Sequence, residues 1–389
     1  MTQTALLFTP LRLRGLELRN RLIVSPMATY SAEDGHATDW HVQHVGKLAT
    51  GGAGLVFVEQ SAVTLQGRIT YGCLGLWHDS HIAGLRRLVD LIHASGAAAA
   101  IQIAHSGRKG ASQRPWEGGK PLTRQDVAAR NEGPWDIIAA DSIPFEEGCQ
   151  APARMTEEDL SATEQAYVDA FRRAREAGFD VAELHCAHGY LLHSFLSPLA
   201  NQRSDEYGGS RENRMRFPLR LAALLRREWP EDKPVFVRIS CVDGVDIGWS
   251  IEDSVAFAAE LKKIGIDVVD CSSGGMKLPR GKSLLARTPG FQVPFAERIR
   301  KEVNISTVAV GLIRSPHHAE QILRLQQADF IAVGRELLWN PNWIAQVAQQ
   351  LGADPEWRLW PDQYGWWLKR RAIQQDDTLI SKHVEDRAE

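Results

Sequence analysis

Eight short apolar runs, each followed by a helical pattern, constrain this chain more than any other feature. The runs are Arg21 to Met27 (closed by Pro26), Leu55 to Glu59, Ala98 to Ile103, Val181 to Leu184, Val235 to Ile239, Asp267 to Cys271, Ser306 to Val310 and Phe330 to Val333. Most are β-branched and apolar, as parallel strands buried on both faces should be. Between them, Ile82, Leu85, Val89 and Ile92 step by three or four and stop at Gly96. Leu160, Thr163, Tyr167, Phe171 and Ala174 do the same and stop at Gly178, with Thr156 and Asp159 spaced as a capping box. Ser315 and Pro316 open another helix as cap and first position. Strands alternating with helices in this way predict an α/β fold, a single (β/α)8 TIM barrel rather than an open sheet. A barrel needs roughly 250 residues and tolerates insertions. The 389 residues therefore read as one domain, with the barrel over about 20–350. No Gly-x-Gly-x-x-Gly follows the first run, which argues against a Rossmann fold.

Three segments fall outside the repeat. Leu11 to Arg19 alternates apolar and polar about Gly15, a hairpin placed to cap the amino-terminal mouth of the barrel. Gly107 to Arg154, after the third strand, contains Arg114, Pro115 and Trp116, then Gly133, Pro134 and Trp135. A loop of that length in a barrel reads as a functional lid. The extension over about 353–389 carries Trp357, Trp360, Trp366 and Trp367 ahead of Lys369, Arg370 and Arg371. It is either a subunit contact or a helix folded back on its own barrel. After Ile373 the tail is polar and expected to fray. The formal net charge of −3 leaves no basic footprint for nucleic acid. No apolar run approaches the roughly 20 residues of a membrane span. Met1 to Thr4 lack the start of a signal peptide. The five cysteines are scattered without a Cys-x-x-Cys pair, against a disulfide framework or an iron–sulfur cluster. A cytoplasmic location is the expectation.

The chemistry concentrates after the fourth run, where Glu183 is followed by His185, His188, Gly189 and Tyr190. Polar clusters at the carboxyl ends of barrel strands are where such folds keep their active sites. A spacing of three on the first turn after the strand puts both imidazoles on one side. They could be two zinc ligands with His105 as a third, satisfied core histidines, or donors to a substrate oxygen. Tyr190 beside them favours the donors, because two neutral imidazole N–H groups can clamp one carbonyl oxygen. A phenol with a pKa of about 10 is protonated at neutral pH and can act as an acid. Arg238, inside the fifth run, requires a partner: a structural carboxylate or the anionic N1–C2 region of a flavin. Gln102 offers a donor and an acceptor suited to the uracil-like edge of that ring. Gly311 and Gly334, with Arg335, end the last two strands, where barrels commonly bind phosphate. Ordinary turn glycines would look the same.

Several of these stretches resemble the Old Yellow Enzyme family. They include Ser25 to Tyr30, Gln66 to Thr70, Gln102 to Lys109, His185 to Tyr190, Phe195 to Pro198, Arg203 to Gly209 and Glu212 to Arg214. The resemblance runs from about Phe8 to Leu368 and is most specific from His185 to Arg214. Within the family the chain is most similar to the NADPH dehydrogenase and xenobiotic reductase A branch of short bacterial ene-reductases. The resemblance implies an FMN-bound barrel. Ser25, Pro26, Met27, Ala28, Gln60, Gln102, His185, Arg238, Gly311, Gly334 and Arg335 would line the cofactor. NADPH or NADH would reduce it, and no metal would be needed. His185 and His188 would hold the carbonyl or nitro oxygen of a small-molecule activated alkene, and Tyr30 would wall the pocket. Hydride would pass from flavin N5 to the β-carbon, and Tyr190 would protonate the α-carbon. The alternative is a flavin barrel with a specialised biosynthetic or degradative role and little simple-enone activity. Two departures stand out. Ala28 occupies the place of the branch's flavin-contacting cysteine, which implies a changed flavin potential and a roomier pocket. Trp366 or Trp367 stands where many members place an arginine that reaches a neighbouring subunit, which implies a homodimer or homotetramer with the tail crossing the interface.

Overall fold

The computed structural model describes residues 5–277, 283 and 285–385. Met1 to Thr4, read above for a targeting signal, lie outside them. The hairpin forms first, β1 (Leu11–Leu13) against β2 (Leu16–Leu18), antiparallel about Gly15. The barrel strands are β3 (Leu22–Val24), β4 (Leu55–Ala62), β6 (Ala98–Ala104), β9 (Val181–Cys186), β10 (Val235–Ser240), β11 (Val268–Ser272), β12 (Ser306–Ala309) and β13 (Phe330–Val333). They pair in parallel in chain order, and β3 pairs with both β13 and β4, so the sheet closes on itself. Short β5 (Leu74–Gly75) lengthens the sheet beside β4, and β7 (Ile138–Ala139) pairs with β8 (Ala153–Arg154) in the long loop. The expected (β/α)8 barrel is present.

One helix follows each barrel strand: α1 (Asp39–Ala49), α2 (His81–Ala94), α4 (Glu157–Ala177), α6 (Arg211–Glu228), α7 (Ile251–Ile264), α8 (Val293–Val303), α9 (Pro316–Arg324) and α11 (Trp343–Gln350). Four more are additions: α3 (Arg124–Arg130) in the long loop, α5 (Leu191–Leu196), α10 (Arg335–Trp339) and α12 (Asp362–Glu385). The helix signals in the sequence act as expected. Thr156 accepts from the Asp159 N–H, and Asp159 returns a bond to the Thr156 N–H. The same helix stops at Gly178 with φ +98°, a left-handed cap that favours glycine.

Alternation along each strand sorts residues between two layers. In β10, Val235, Val237 and Ile239 pack outward under the helices, while Phe236 lies inside the barrel. The inner layer joins Ile23, Leu55, Phe57, Val181, Phe236, Val268, Val308 and Phe330. Leu18 and the partly buried Leu11, Leu13 and Leu16 of the hairpin pack onto it. The hairpin thus stoppers the amino-terminal end, and water is excluded from the column below the site. The same alternation sends Gln102, Glu183, Arg238 and Asp270 inward, one step above the apolar layer. One irregularity interrupts it. Between Val58 and Ser61 the β4 register slips, so that Glu59 and Gln60 together oppose Gln102.

The tail divides between the two readings. Trp360 is buried, whereas Trp366 and Trp367 are 52% and 65% exposed on α12. The expected fraying after Ile373 is corrected: the α12 backbone stays helical to Glu385. The segment carries no Gly or Pro after Gly365 to interrupt it.

Phe236 rests between Phe57 and Phe330, with ring centroids 6.2 and 6.4 Å away. Phe236→Ala is expected to cost about 3–5 kcal/mol through lost burial and a cavity. Chemical denaturation of the folded variant should show this as a lower midpoint at unchanged slope.

Candidate functional site

The carboxyl ends of the strands open into a cavity of about 470 Å3. The turn after β3 contributes Ser25, Pro26 and Met27, β10 contributes Arg238, and β11 contributes Ser272. The loops after β12 and β13 contribute Gly311, Gly334 and Arg335. Gly311 has φ +118°, and a Cβ there would come within 3.1 Å of Gln292 and the Phe291 ring. A side chain would be both strained and crowded. Gly334 differs, because a Cβ there makes only ordinary contacts with Met27 and Ser25. Its backbone, at φ −112° and ψ −100°, nonetheless lies outside the regions open to residues with a Cβ.

Several buried polar atoms around this space lack a partner in the protein: Ser25 Oγ, Gln60 Nε2, His185 Nδ1 and Arg238 Nε. Buried polar groups in folded proteins are almost always satisfied, so this set calls for a ligand rich in donors and acceptors. Arg238 Nε lies 3.3 Å from Asp270 Oδ2, close enough for charge pairing but not aligned as a hydrogen bond. Glu183 accepts from Gln102 Nε2 at 2.8 Å. Burial, reinforced by Asp270, pushes the Glu183 carboxyl well up, and burial does the same to Asp270. FMN, which carries donors and acceptors on its ring and an anionic phosphate, fits this donor set.

The second group of residues stands beside the first. The His185 ring lies 5.1 Å from that of His188 and 5.2 Å from that of Tyr190, centroid to centroid. Their proximity does not arise from helical spacing, as the sequence suggested. His185 is still within β9, and His188 turns back with φ +61° in the left-handed region. Such a conformation is costly for a residue with a Cβ and must be held. The His188 N–H donates to Ser240 Oγ and its carbonyl accepts from Lys109 Nζ, both at 3.0 Å. His188 Nε2 is 2.7 Å from Ser272 Oγ. The next N–H, of Gly189, donates to His193 Nδ1 at 2.8 Å. That bond leaves the His193 proton on Nε2, 3.1 Å from Asp243 Oδ1.

Burial, followed by the positive charge of Arg238, holds both His185 and His188 well below the usual histidine range. Both are neutral at physiological pH. Burial, with Tyr30 and Cys73 nearby, pushes the Tyr190 phenol well up, so it keeps its proton. Tyr190 and Tyr30 line a further cavity of about 220 Å3, roofed by Gln113, Phe145 and Gln150 of the long loop. The loop expected as a lid therefore walls the space beside Tyr190. His105, the third ligand a zinc reading requires, accepts from the Gly107 N–H. Among the described residues no three His, Cys, Asp or Glu side chains surround a metal position. Ala28 is half-buried beside Met27. Trp366 and Trp367 are not brought to the site of their own chain.

Several residues of the site escaped the sequence reading. Ser240 and Ser272 end strands without any motif around them. Asp270 sits in a run that reads as plain β. His193 and Asp243 are 50 residues apart and meet only through the fold. Strand alternation from Phe236 and Val268 would have put Arg238 and Asp270 on the same inner face.

The chain belongs to the NADH:flavin oxidoreductase / NADH oxidase family, which it matches over residues 6–354. It is 44% identical over 349 residues to NADPH dehydrogenase of Geobacillus sp. (strain WCH70), covering 89% of this chain and 95% of that protein. It is 42% identical over 350 residues to NADPH dehydrogenase of Bacillus subtilis (strain 168), covering 90% and 96%. Morphinone reductase in complex with tetrahydroNAD superposes with a TM-score of 0.71 at 25% identity, over 89% of this chain and 91% of that one. A 2-naphthoyl-CoA reductase shares the fold at 24% identity, with a TM-score of 0.78 over 90% of this chain and 53% of its own. The protein is an FMN-dependent NAD(P)H oxidoreductase with a TIM-barrel fold. No helix among the described residues is long and apolar enough to cross a membrane.

Gly311→Ala tests the cofactor end of the site. Strain of roughly 1–3 kcal/mol at φ > 0 should lower FMN affinity about ten-fold or more. Fluorescence of flavin released on dilution reads the change.

Proposed function

We propose that the protein is an ene-reductase, reducing the activated C=C bond of α,β-unsaturated carbonyl or nitro compounds at the expense of NADPH or NADH. The observation that carries this reading is a protonated Tyr190 standing beside two neutral imidazoles at the mouth of the barrel. Such a trio suits polarising an oxygen and delivering a proton nearby, and it offers no strong nucleophile.

In this reading Ser25 to Ala28, Gln60, Gln102, His185 and Arg238 hold the ring of FMN, and Gly311, Gly334 and Arg335 hold its phosphate. Bound FMN supplies the hydride, taken from NAD(P)H and passed to the β-carbon of the acceptor. The protein's own work is at the other atoms. Ser272 can donate to His188 Nε2, which leaves the proton of that ring on Nδ1. His185 Nδ1 has no protein partner. The two rings thus aim neutral N–H groups at the acceptor's oxygen. Negative charge grows there as hydride arrives, so these bonds strengthen toward the transition state. Tyr190 then gives its proton to the α-carbon. Arg238, paired with Asp270, supplies fixed positive charge within the barrel, and Tyr30 and the long loop keep water away from Tyr190.

Anaerobic absorbance tests the reading. One equivalent of NADPH should bleach the yellow band of the holoenzyme, and 2-cyclohexenone should restore it. A band that bleaches and stays bleached would favour the specialised-acceptor alternative. Tyr190→Phe should slow reoxidation by 2-cyclohexenone by roughly a hundred-fold or more, since the acid is lost. Stopped-flow traces should show a much smaller effect on reduction by NADPH. Equal slowing of both half-reactions would contradict the acid role.

We also propose that the exposed Trp366 and Trp367 pack against a second copy of the chain, in a homodimer or homotetramer. Exposed tryptophans of this size are typical of interface centres. Truncation after Pro361 should lower both oligomer mass, read by light scattering, and activity. An active truncated protein with an unchanged number of subunits would refute the arrangement. The reading places the enzyme in the cytoplasm, in keeping with five free cysteines.

A further inference from the structure

The mechanism above uses Lys109 only to hold the His188 carbonyl and gives Arg108 no task. Arg108 and Lys109 follow β6 and line the 220 Å3 cavity together with Tyr30 and Tyr190. Lys109 Nζ donates to the His188 carbonyl and lies 4.8 Å from the Tyr190 ring and 4.7 Å from the Phe145 ring. Arg108 is 5% exposed. Its Nη1 reaches the Pro144 carbonyl at 3.4 Å and its Nη2 lies 2.8 Å from Met276 Sδ, a soft and weak acceptor. Its Nε has no partner. Among the described residues, no carboxylate comes within 4.0 Å of either cation. Glu146 is the carboxylate lining this cavity, and it is already paired with Lys277 at 2.6 Å.

Two adjacent like charges in a buried wall are expensive unless something answers them. Burial, with Arg108 next to it, brings the Lys109 ammonium down to about 8. Arg108 is itself lowered to about 10 by burial. Aromatic faces return only part of that cost, about 0.5–2 kcal/mol per contact. If the pair only braced the loop, a polar uncharged side chain would do as well for one of the two. A neutral enone, held at its oxygen by the imidazoles, offers Arg108 and Lys109 nothing.

We propose that this cavity receives an anionic substituent of the acceptor, a carboxylate, with Lys109 and Arg108 as its counter-charges. The inference deepens the ene-reductase reading and rests on it. The His185 ring and the Lys109 ammonium both stand next to the Tyr190 ring, at 5.2 and 4.8 Å from its centroid. One short acceptor can therefore place its oxygen at the imidazoles and its carboxylate at the ammonium, with the alkene beside the phenol. The substrate class is a small unsaturated oxo acid.

The test compares 4-oxocyclohex-2-ene-1-carboxylate with its carboxamide in the wild-type holoenzyme. A saturated carbon separates the charged group from the alkene, so intrinsic reactivity is similar and the difference reads recognition. The carboxylate is expected to show a KM about ten-fold lower or better, as a charge-assisted contact allows. The advantage should shrink as ionic strength rises from about 0.01 M to about 1 M. Lys109→Met should bring the ratio of the two KM values close to one. Should that variant fail to bind FMN, the salt dependence of the wild-type ratio decides. Equal KM values for two compounds that both turn over would overturn this inference alone. So would a ratio insensitive to salt or to Lys109→Met. NADPH-reduced flavin that neither compound reoxidises would overturn the ene-reductase reading as well.

Discussion

Arg238 is a guanidinium inside a closed barrel, and much of the site can be understood as what makes that tolerable. A charge there cannot reach bulk water from below, because the apolar layer and the hairpin close the column beneath it. Asp270 on the neighbouring strand supplies the nearest opposite charge. Glu183 and Asp270 both face inward, and burial penalises their ionised forms. Arg238 thus stands in a polar layer whose carboxylates are held toward their protonated forms, under the open mouth. That same charge, after burial itself, helps keep His185 and His188 neutral. One buried cation thus serves two ends: it suits an electron-rich ring, and it preserves the imidazole protonation state that a carbonyl clamp requires.

The fold was legible because barrel strands carry a strong and repeated signal. Runs such as Val235 to Ile239 and Phe330 to Val333 are short and mostly apolar, and several helices between the strands begin or end on caps that sequence displays openly. The hairpin was legible for a similar reason, since Leu11, Leu13, Leu16 and Leu18 alternate around a glycine. What sequence could not display was contact between distant strand ends. Nothing near Ser272 announces that its hydroxyl meets His188, and nothing near Asp243 announces His193.

The His185 and His188 pair shows a subtler limit. The residues were found by spacing, but the geometric reason was a different one. A helical turn would have placed the rings side by side without further support. The observed left-handed bend at His188 needs Ser240, Lys109 and His193 to secure its backbone. The tail shows the opposite failure. Its polar composition after Ile373 suggested fraying, yet composition alone does not end a helix where neither Gly nor Pro interrupts it.

The loops after β9 and β11 meet backbone to backbone, at two glycines. A Cβ on Gly275 would fall 2.2 Å from His188 Cα, and one on Gly189 would fall 2.3 Å from the Gly275 carbonyl oxygen. These loops have no side chain between them to absorb a displacement. A displacement of Gly275 would therefore press directly on the backbone of His188. Remodelling the backbone at Gly275 would also shift His188. In this barrel, broadening what enters and preserving how it reacts are one mechanical problem.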